Sequence, residues 1–208
     1  MAFPAFFDAV PAIVLHDPLA EILGAAEGGL IEYRFADAVR LAGHSCPTVA
    51  GAWLMTTRAL SALYGEAVPE RGGVSVAFGA SQGDGVTGVI ASIATLLTGA
   101  AGAGGFKGLG GRFSRRNLMS FELAGVDELR FVRRDTGDAI DIGLDLSPGP
   151  GDPRMGALLP SLLAGTASAE EGRLFATLWQ QRVQRILIDH HDDERLTPMR
   201  RGVHSVPQ

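Results

Sequence analysis

Apolar positions recur every three to four residues over 30–41, where Ile31, Phe35, Ala38 and Val39 share a stripe, and over 47–64, lined by Ala50, Leu54, Ala59, Leu60 and Leu63. That spacing predicts two helices, with Gly43 and Gly65 as their C-terminal stops. A short helix is expected over 17–26, with Asp17 as its cap and Pro18 at its first position, where a missing N–H costs nothing. Residues 168–190 predict a long one. Ser168 and Glu171 form a capping box there, and Leu174, Phe175, Leu178, Val183, Ile186 and Leu187 make the apolar face. A further short helix is expected over 154–163. Residues 86–97 read as a buried apolar helix, with a strand left open by their β-branched residues.

Between these helices the period changes. Residues 73–78 (G-V-S-V-A-F) alternate small and apolar side chains as a strand does. Residues 117–123, 129–134 and 139–146 are three further strands, the last two joined by the hairpin turn Asp135-Thr136-Gly137-Asp138. Residues 99–111 hold seven glycines and read as a loop, as do 147–153. Helices at both ends with strands between them predict an α+β fold: an antiparallel sheet flanked by helices, with a long C-terminal helix. One domain is expected over 1–196, followed by a flexible tail over 197–208.

Composition narrows the class of protein. The chain has 208 residues, of which 46% are hydrophobic and 20% charged, enough for one good core. Its longest apolar stretch, 88–103, is broken by Ser92, Thr95, Thr98 and several glycines, so no membrane-spanning helix is expected and no membrane partner. The first residues lack a basic segment and meet Asp8 early; they do not read as a signal peptide, and a cytoplasmic setting is the default. A net charge of −5 favours no nucleic-acid partner. Cys46 is the single cysteine, which excludes an intramolecular disulfide and a cysteine-rich zinc finger.

The sharpest local feature is Gly43-His44-Ser45-Cys46-Pro47. Proline at the first helical position places Cys46 at the helix cap, facing free backbone N–H groups and the positive end of the helix dipole. Both favour thiolate over thiol, so a lowered thiol pKa is expected. A thiolate beside the imidazole of His44 suits Zn²⁺ or another late first-row metal. The same pair without metal suits a Cys46 nucleophile with His44 as its base, acting on a small anionic substrate. A buried structural cysteine beside a turn-forming histidine is the plain alternative. His16, just before the helix-start pair Asp17-Pro18, is the candidate third metal ligand. Asp84, in Gln82-Gly83-Asp84-Gly85, stands where active-site carboxylates often lie, and equally where a turn needs one. Asp189-His190-His191-Asp192-Asp193 has the composition of a metal site but ends a helix, where histidines and solvated charges are common.

The glycine-rich loop carries the only lysine, Lys107, and leads into Arg112, Arg115 and Arg116. It is not a Walker loop, because Gly108 and Leu109 follow the lysine, and it lacks the dinucleotide fingerprint. Glycines nonetheless let backbone approach a ligand closely. Lys107, Arg112, Arg115 and Arg116 would then supply positive charge for a carboxylate or phosphate, and Lys107 and Arg112, with Asp84, are the candidate residues for a small anionic substrate. Phe106 and Phe113 argue for some anchoring; otherwise the segment is a mobile connection with a solvated basic flank.

The motif Gly43-His44-Ser45-Cys46-Pro47, followed by the small-residue helix start Thr48-Val49-Ala50-Gly51-Ala52, resembles the signature of the formylmethanofuran dehydrogenase FmdE family. That family continues with an apolar helix ending Thr-Gly-Cys and a loop carrying Gly-Lys-Gly before a strand. Here Leu96-Leu97-Thr98-Gly99-Ala100, Phe106-Lys107-Gly108 and Asn117-Leu118-Met119-Ser120-Phe121 follow in the same order, and the likeness covers residues 35–121. The resemblance implies an α+β core, an intertwined homodimer and a cleft holding His44 and Cys46, often with a metal ion. It makes Lys107 the matching loop lysine. Two departures restrict the chemistry. Ala100 stands where the family has a second cysteine, and no cysteine follows Cys46, so neither two-thiol redox chemistry nor a structural zinc is expected. Nothing in the chain would carry an iron–sulfur cluster or molybdopterin, so it is not itself expected to oxidise formate or formylmethanofuran.

Overall fold

A computed structural model describes residues 3–202. After a 3₁₀ turn the chain forms strand β1 (Ile13–His16), helix α1 (Pro18–Ile22), strand β2 (Leu30–Tyr33), helix α2 (Phe35–Ala42), helix α3 (Pro47–Tyr64), strand β3 (Val74–Phe78), helix α4 (Thr87–Thr98), strands β4 (Met119–Ser120), β5 (Leu129–Arg133) and β6 (Ala139–Ile142), helices α5 (Arg154–Leu163) and α6 (Ala169–Gln184), and strand β7 (Met199–Arg201). The fold is α+β. One sheet runs in the order β4-β3-β5-β6-β7, and β1 and β2 form a separate antiparallel pair. No helix among the described residues is long and apolar enough to cross a membrane.

Helix α3 is the centre of the molecule. Trp53, Leu54, Met55, Ala59 and Leu60 are buried on successive faces, as in a helix covered on all sides. Helices α2 and α4, strand β6 and the π-helical turn that extends α6 over Arg185–Asp189 all pack against it. Phe35 of α2 meets Trp53 edge to face at 6.1 Å. Gly51 faces Leu144 so closely that a Cβ would overlap its methyl groups.

Several expected elements are corrected. Residues 30–33 form strand rather than helix: Ile31 pairs with Leu15 across β1–β2, and α2 starts only at Phe35, where the Asp37 carboxylate accepts the Arg34 N–H at 2.9 Å. The strand expected over 117–123 shrinks to Met119–Ser120, because Asn117 and Glu122 take left-handed backbone at φ 55° and 60° on either side. It pairs parallel with β3, while the other pairs of that sheet are antiparallel. The strand expected over 139–146 ends at Ile142, beyond which Gly143 and Asp145 bond to the carbonyls of Pro198 and Leu196. Those bonds also account for the tail. Leu196 and Thr197 are fully buried, Arg58 donates to Thr197 Oγ1 and the Asp193 carbonyl, and β7 closes the sheet edge. Residues 203–208 of the expected flexible tail lie outside the described residues.

Candidate functional site

Helix α2 ends on Gly43, whose φ of 76° needs glycine, and the turn delivers His44, Ser45 and Cys46 to the start of α3. Cys46 is the cap residue, in extended backbone, and its Sγ accepts the Val49 N–H at 3.4 Å while the side chain stays half-buried. His44 is exposed. Its Nδ1 lies 2.9 Å from the Ala42 carbonyl, which can only accept; Nδ1 therefore carries the proton, and the lone pair of the neutral ring is on Nε2.

Helix α6 locks this turn from the other side. Trp179 Nε1 and Gln180 Nε2 both donate to the Ser45 carbonyl, at 2.9 and 3.3 Å. Ser45 Oγ and Gln180 Oε1 are buried beside them and have no hydrogen-bond partner among the described residues. The part played by Trp179 and Gln180 was not readable from sequence, since 134 residues separate Trp179 from the backbone it holds.

The other candidates do not gather around Cys46 within one chain. His16 ends β1 and is held by Glu21 at 2.9 Å, with Glu70 at 3.8 Å, in a cleft it shares with Tyr64 and Gly73. Tyr64 is the last residue of α3 and Cys46 caps its first, so the length of an eighteen-residue helix, roughly 27 Å, lies between His16 and the thiol. Among the described residues no group of three or more His, Cys, Asp or Glu side chains is placed to hold a metal ion. Asp84 is a turn residue. Its carboxylate accepts the Ser81 N–H at 3.3 Å and its carbonyl the Thr87 N–H at 3.0 Å, leading into α4. In the Asp189–Asp193 segment, Asp193 binds His190 and Arg195 and closes the end of α6. Lys107 is exposed, with no hydrogen bond or ion pair among the described residues. Arg112 stacks on the Phe113 ring at 4.8 Å.

A second polar cluster forms at the far end of α3. Asp17 caps α1 through the N–H groups of Leu19 and Ala20, and its two oxygens take Arg71 Nε at 3.0 Å and Arg115 Nη2 at 2.7 Å. Burial pushes the Asp17 carboxyl up, but Arg71, Arg115 and the two N–H groups outweigh it and hold it below the usual carboxylate range. Arg71 also donates to the Leu96 and Leu97 carbonyls at the end of α4. Sequence reading found Asp17 only as a helix cap and missed Arg71, because charge partners 54 and 98 positions apart leave no local pattern.

Glu128 lies in a shallow cleft beside β5 and β6 and accepts the Leu144 N–H at 2.8 Å. Burial raises its carboxyl above the usual range, and that hydrogen bond only partly offsets it. A carboxyl with a raised folded-state pKa weakens the fold once pH exceeds its unfolded value of about 4.3, and the full penalty stands above the folded pKa. Glu128→Gln keeps an acceptor for Leu144 and removes the charge. It should raise Tm by roughly 1–3 °C at pH 7 and leave it unchanged below about pH 4; a lower Tm at pH 7 would show that the charge is favourably paired.

The chain matches no known family model and no curated protein in sequence.

Proposed function

We propose that the chain binds a transition-metal ion, zinc best, through Cys46 Sγ and His44 Nε2, as a divergent relative of the formylmethanofuran dehydrogenase FmdE family that does not itself oxidise formate. The observation that carries this reading is the His44 contact with the Ala42 carbonyl. Metal-bound histidines commonly donate their second ring N–H to a carbonyl or carboxylate, which sets the tautomer and aims the free nitrogen. The cap position supports it from the sulfur side, because the Val49 N–H holds Cys46 Sγ in place at the helix start. Cysteine sulfur with imidazole nitrogen is a donor set zinc prefers.

Two donors from one short turn make an open site, unlike the four protein ligands of a structural zinc. In this reading the chain works as a cytoplasmic homodimer, and the same pair on a second copy would supply two further donors. His44 and Cys46 of both copies would hold the ion, which would then link the two chains, and α6 keeps their turn in place through Trp179 and Gln180. The competing reading, a metal-free enzyme with a Cys46 nucleophile and His44 base, needs its anion clamp near the thiol, and the loop's basic residues are anchored by Arg115 at the other end of α3.

Elemental analysis after expression with zinc should give about one zinc per two chains, four ligands being two such pairs. Cys46→Ala and His44→Ala should each abolish it. Zinc should also slow alkylation of Cys46 in the wild type. Metal-free protein after that expression, or alkylation equally fast with and without zinc, would reject the reading.

A further inference from the structure

Four arginines line one cleft of about 390 Å³ where the glycine-rich loop crosses the end of α4. Arg71 and Arg115 are its more buried members and Arg112 and Arg134 its exposed ones, and Glu70 also lines it. The buried part is built rather than incidental. Arg115 is 8% exposed and cannot withdraw, because Asp17 grips Nη2 and the Arg115 N–H is bonded to the Phe106 carbonyl. Gly72, at φ 80°, leaves the space its guanidinium fills: a Cβ there would overlap Arg115 Nη1. Arg134 is aimed across the same glycine by donating to the Gly72 carbonyl at 2.9 Å.

Charge decides what this cleft takes. The four arginines bring four positive charges and cannot be deprotonated; Asp17 and Glu70 return two, leaving a net +2 around the opening. Most donors also remain open. Arg71 donates from Nε to Asp17 and from Nη1 to the Leu96 and Leu97 carbonyls, but Arg115 uses Nη2 alone in side-chain hydrogen bonds, Arg134 uses Nη1 alone, and Arg112 has only its stacking on Phe113. Each guanidinium offers five N–H donors in a planar fork matched to tetrahedral oxyanions.

We infer that the Arg71–Arg112–Arg115–Arg134 cleft is a binding site for the phosphoryl group of a small molecule, a site separate from Cys46. A dianion balances the net charge, and a phosphoryl group's oxygens match guanidinium forks. A monocarboxylate would leave one positive charge uncompensated. Neither Lys107 nor Asp84 belongs to this site: neither lines the cleft. Arg71 and Arg134, far from the loop in sequence, do.

The test is thermal denaturation and calorimetry of the full chain with inorganic phosphate, at ionic strength held constant with chloride. Phosphate should raise Tm progressively up to about 20 mM, as a ligand of the folded state does. The double variant Arg112→Ala/Arg134→Ala avoids the Asp17 cluster, so its Tm without phosphate should match the wild type, while phosphate affinity falls at least about tenfold. Phosphate binding should persist in Cys46→Ala, so the metal reading can fail without this one. Equal stabilisation by chloride, no heat of binding with phosphate, or undiminished affinity in the double variant would each overturn the site. A double variant that loses Tm is answered by Arg112→Lys/Arg134→Lys, which keeps charge but loses the fork and should still weaken binding.

Discussion

Asp17→Asn should lower the unfolding free energy by about 3–5 kcal/mol, the cost of removing one partner from a buried ion cluster. The substitution isolates the charge from the cap. Asparagine is as good a helix cap as aspartate, so its oxygen can still accept from Leu19 and Ala20. What disappears is the anion between Arg71 and Arg115, whose side chains are 16% and 9% exposed. Those two cations then face each other across an amide, and burial already lowers the Arg115 pKa. Because the Asp17 carboxyl sits below its unfolded value of about 3.9, its contribution is present above that pH and is lost as pH falls through the lower folded pKa. Urea unfolding at pH 7 and at successively lower pH should therefore show a wide gap between wild type and variant at neutrality, closing in acid as Asp17 takes up its proton. A gap under about 1 kcal/mol at pH 7, the worth of a surface pair, would mean that solvent screens the cluster.

Trp53→Ala should cost about 3–5 kcal/mol, the range for deleting a large buried aromatic. Trp53 has no exposed surface and lies two turns into α3, against Phe35 of α2. Its loss opens a cavity between the two helices that deliver His44 and Cys46. Yet the indole is not fully satisfied, since Nε1 is buried without a hydrogen-bond partner among the described residues. Trp53→Phe sheds that unpaired N–H, whose burial costs about 1–3 kcal/mol, along with part of the ring. The phenylalanine variant should therefore lose less than about 1.5 kcal/mol. Parallel urea titrations measure both. Equal losses in the two variants would show that the indole N–H is hydrogen-bonded in solution.

What could be read in advance divides by distance along the chain. Helix α3 was legible to the residue because Pro47, Gly65 and the apolar face between them act within a few turns. The capping box of Ser168 with Glu171 and the β5–β6 hairpin were legible for the same reason. The failures were segments whose conformation depends on a remote partner. Residues 30–33 carry an apolar stripe compatible with helix, and pairing with β1 makes them strand. Residues 199–201 look like a tail until β6 receives them.

The candidate chemistry divides likewise. Cys46 as a helix cap, with His44 in the preceding turn, follows from five consecutive residues and elementary backbone sterics. Of the arginine cleft only Arg112 and Arg115 were legible, as basic residues of the loop; Arg71 and Arg134 join them through the close of α4 over Gly72 and the β3–β5 pairing. The chain by itself determined helix α3, the capped start of α6, its hairpin turn and the position of its one thiol, all set by interactions within a few residues. Only the tertiary structure decided which charges meet, because burial and long-range pairing join groups that local sequence cannot relate.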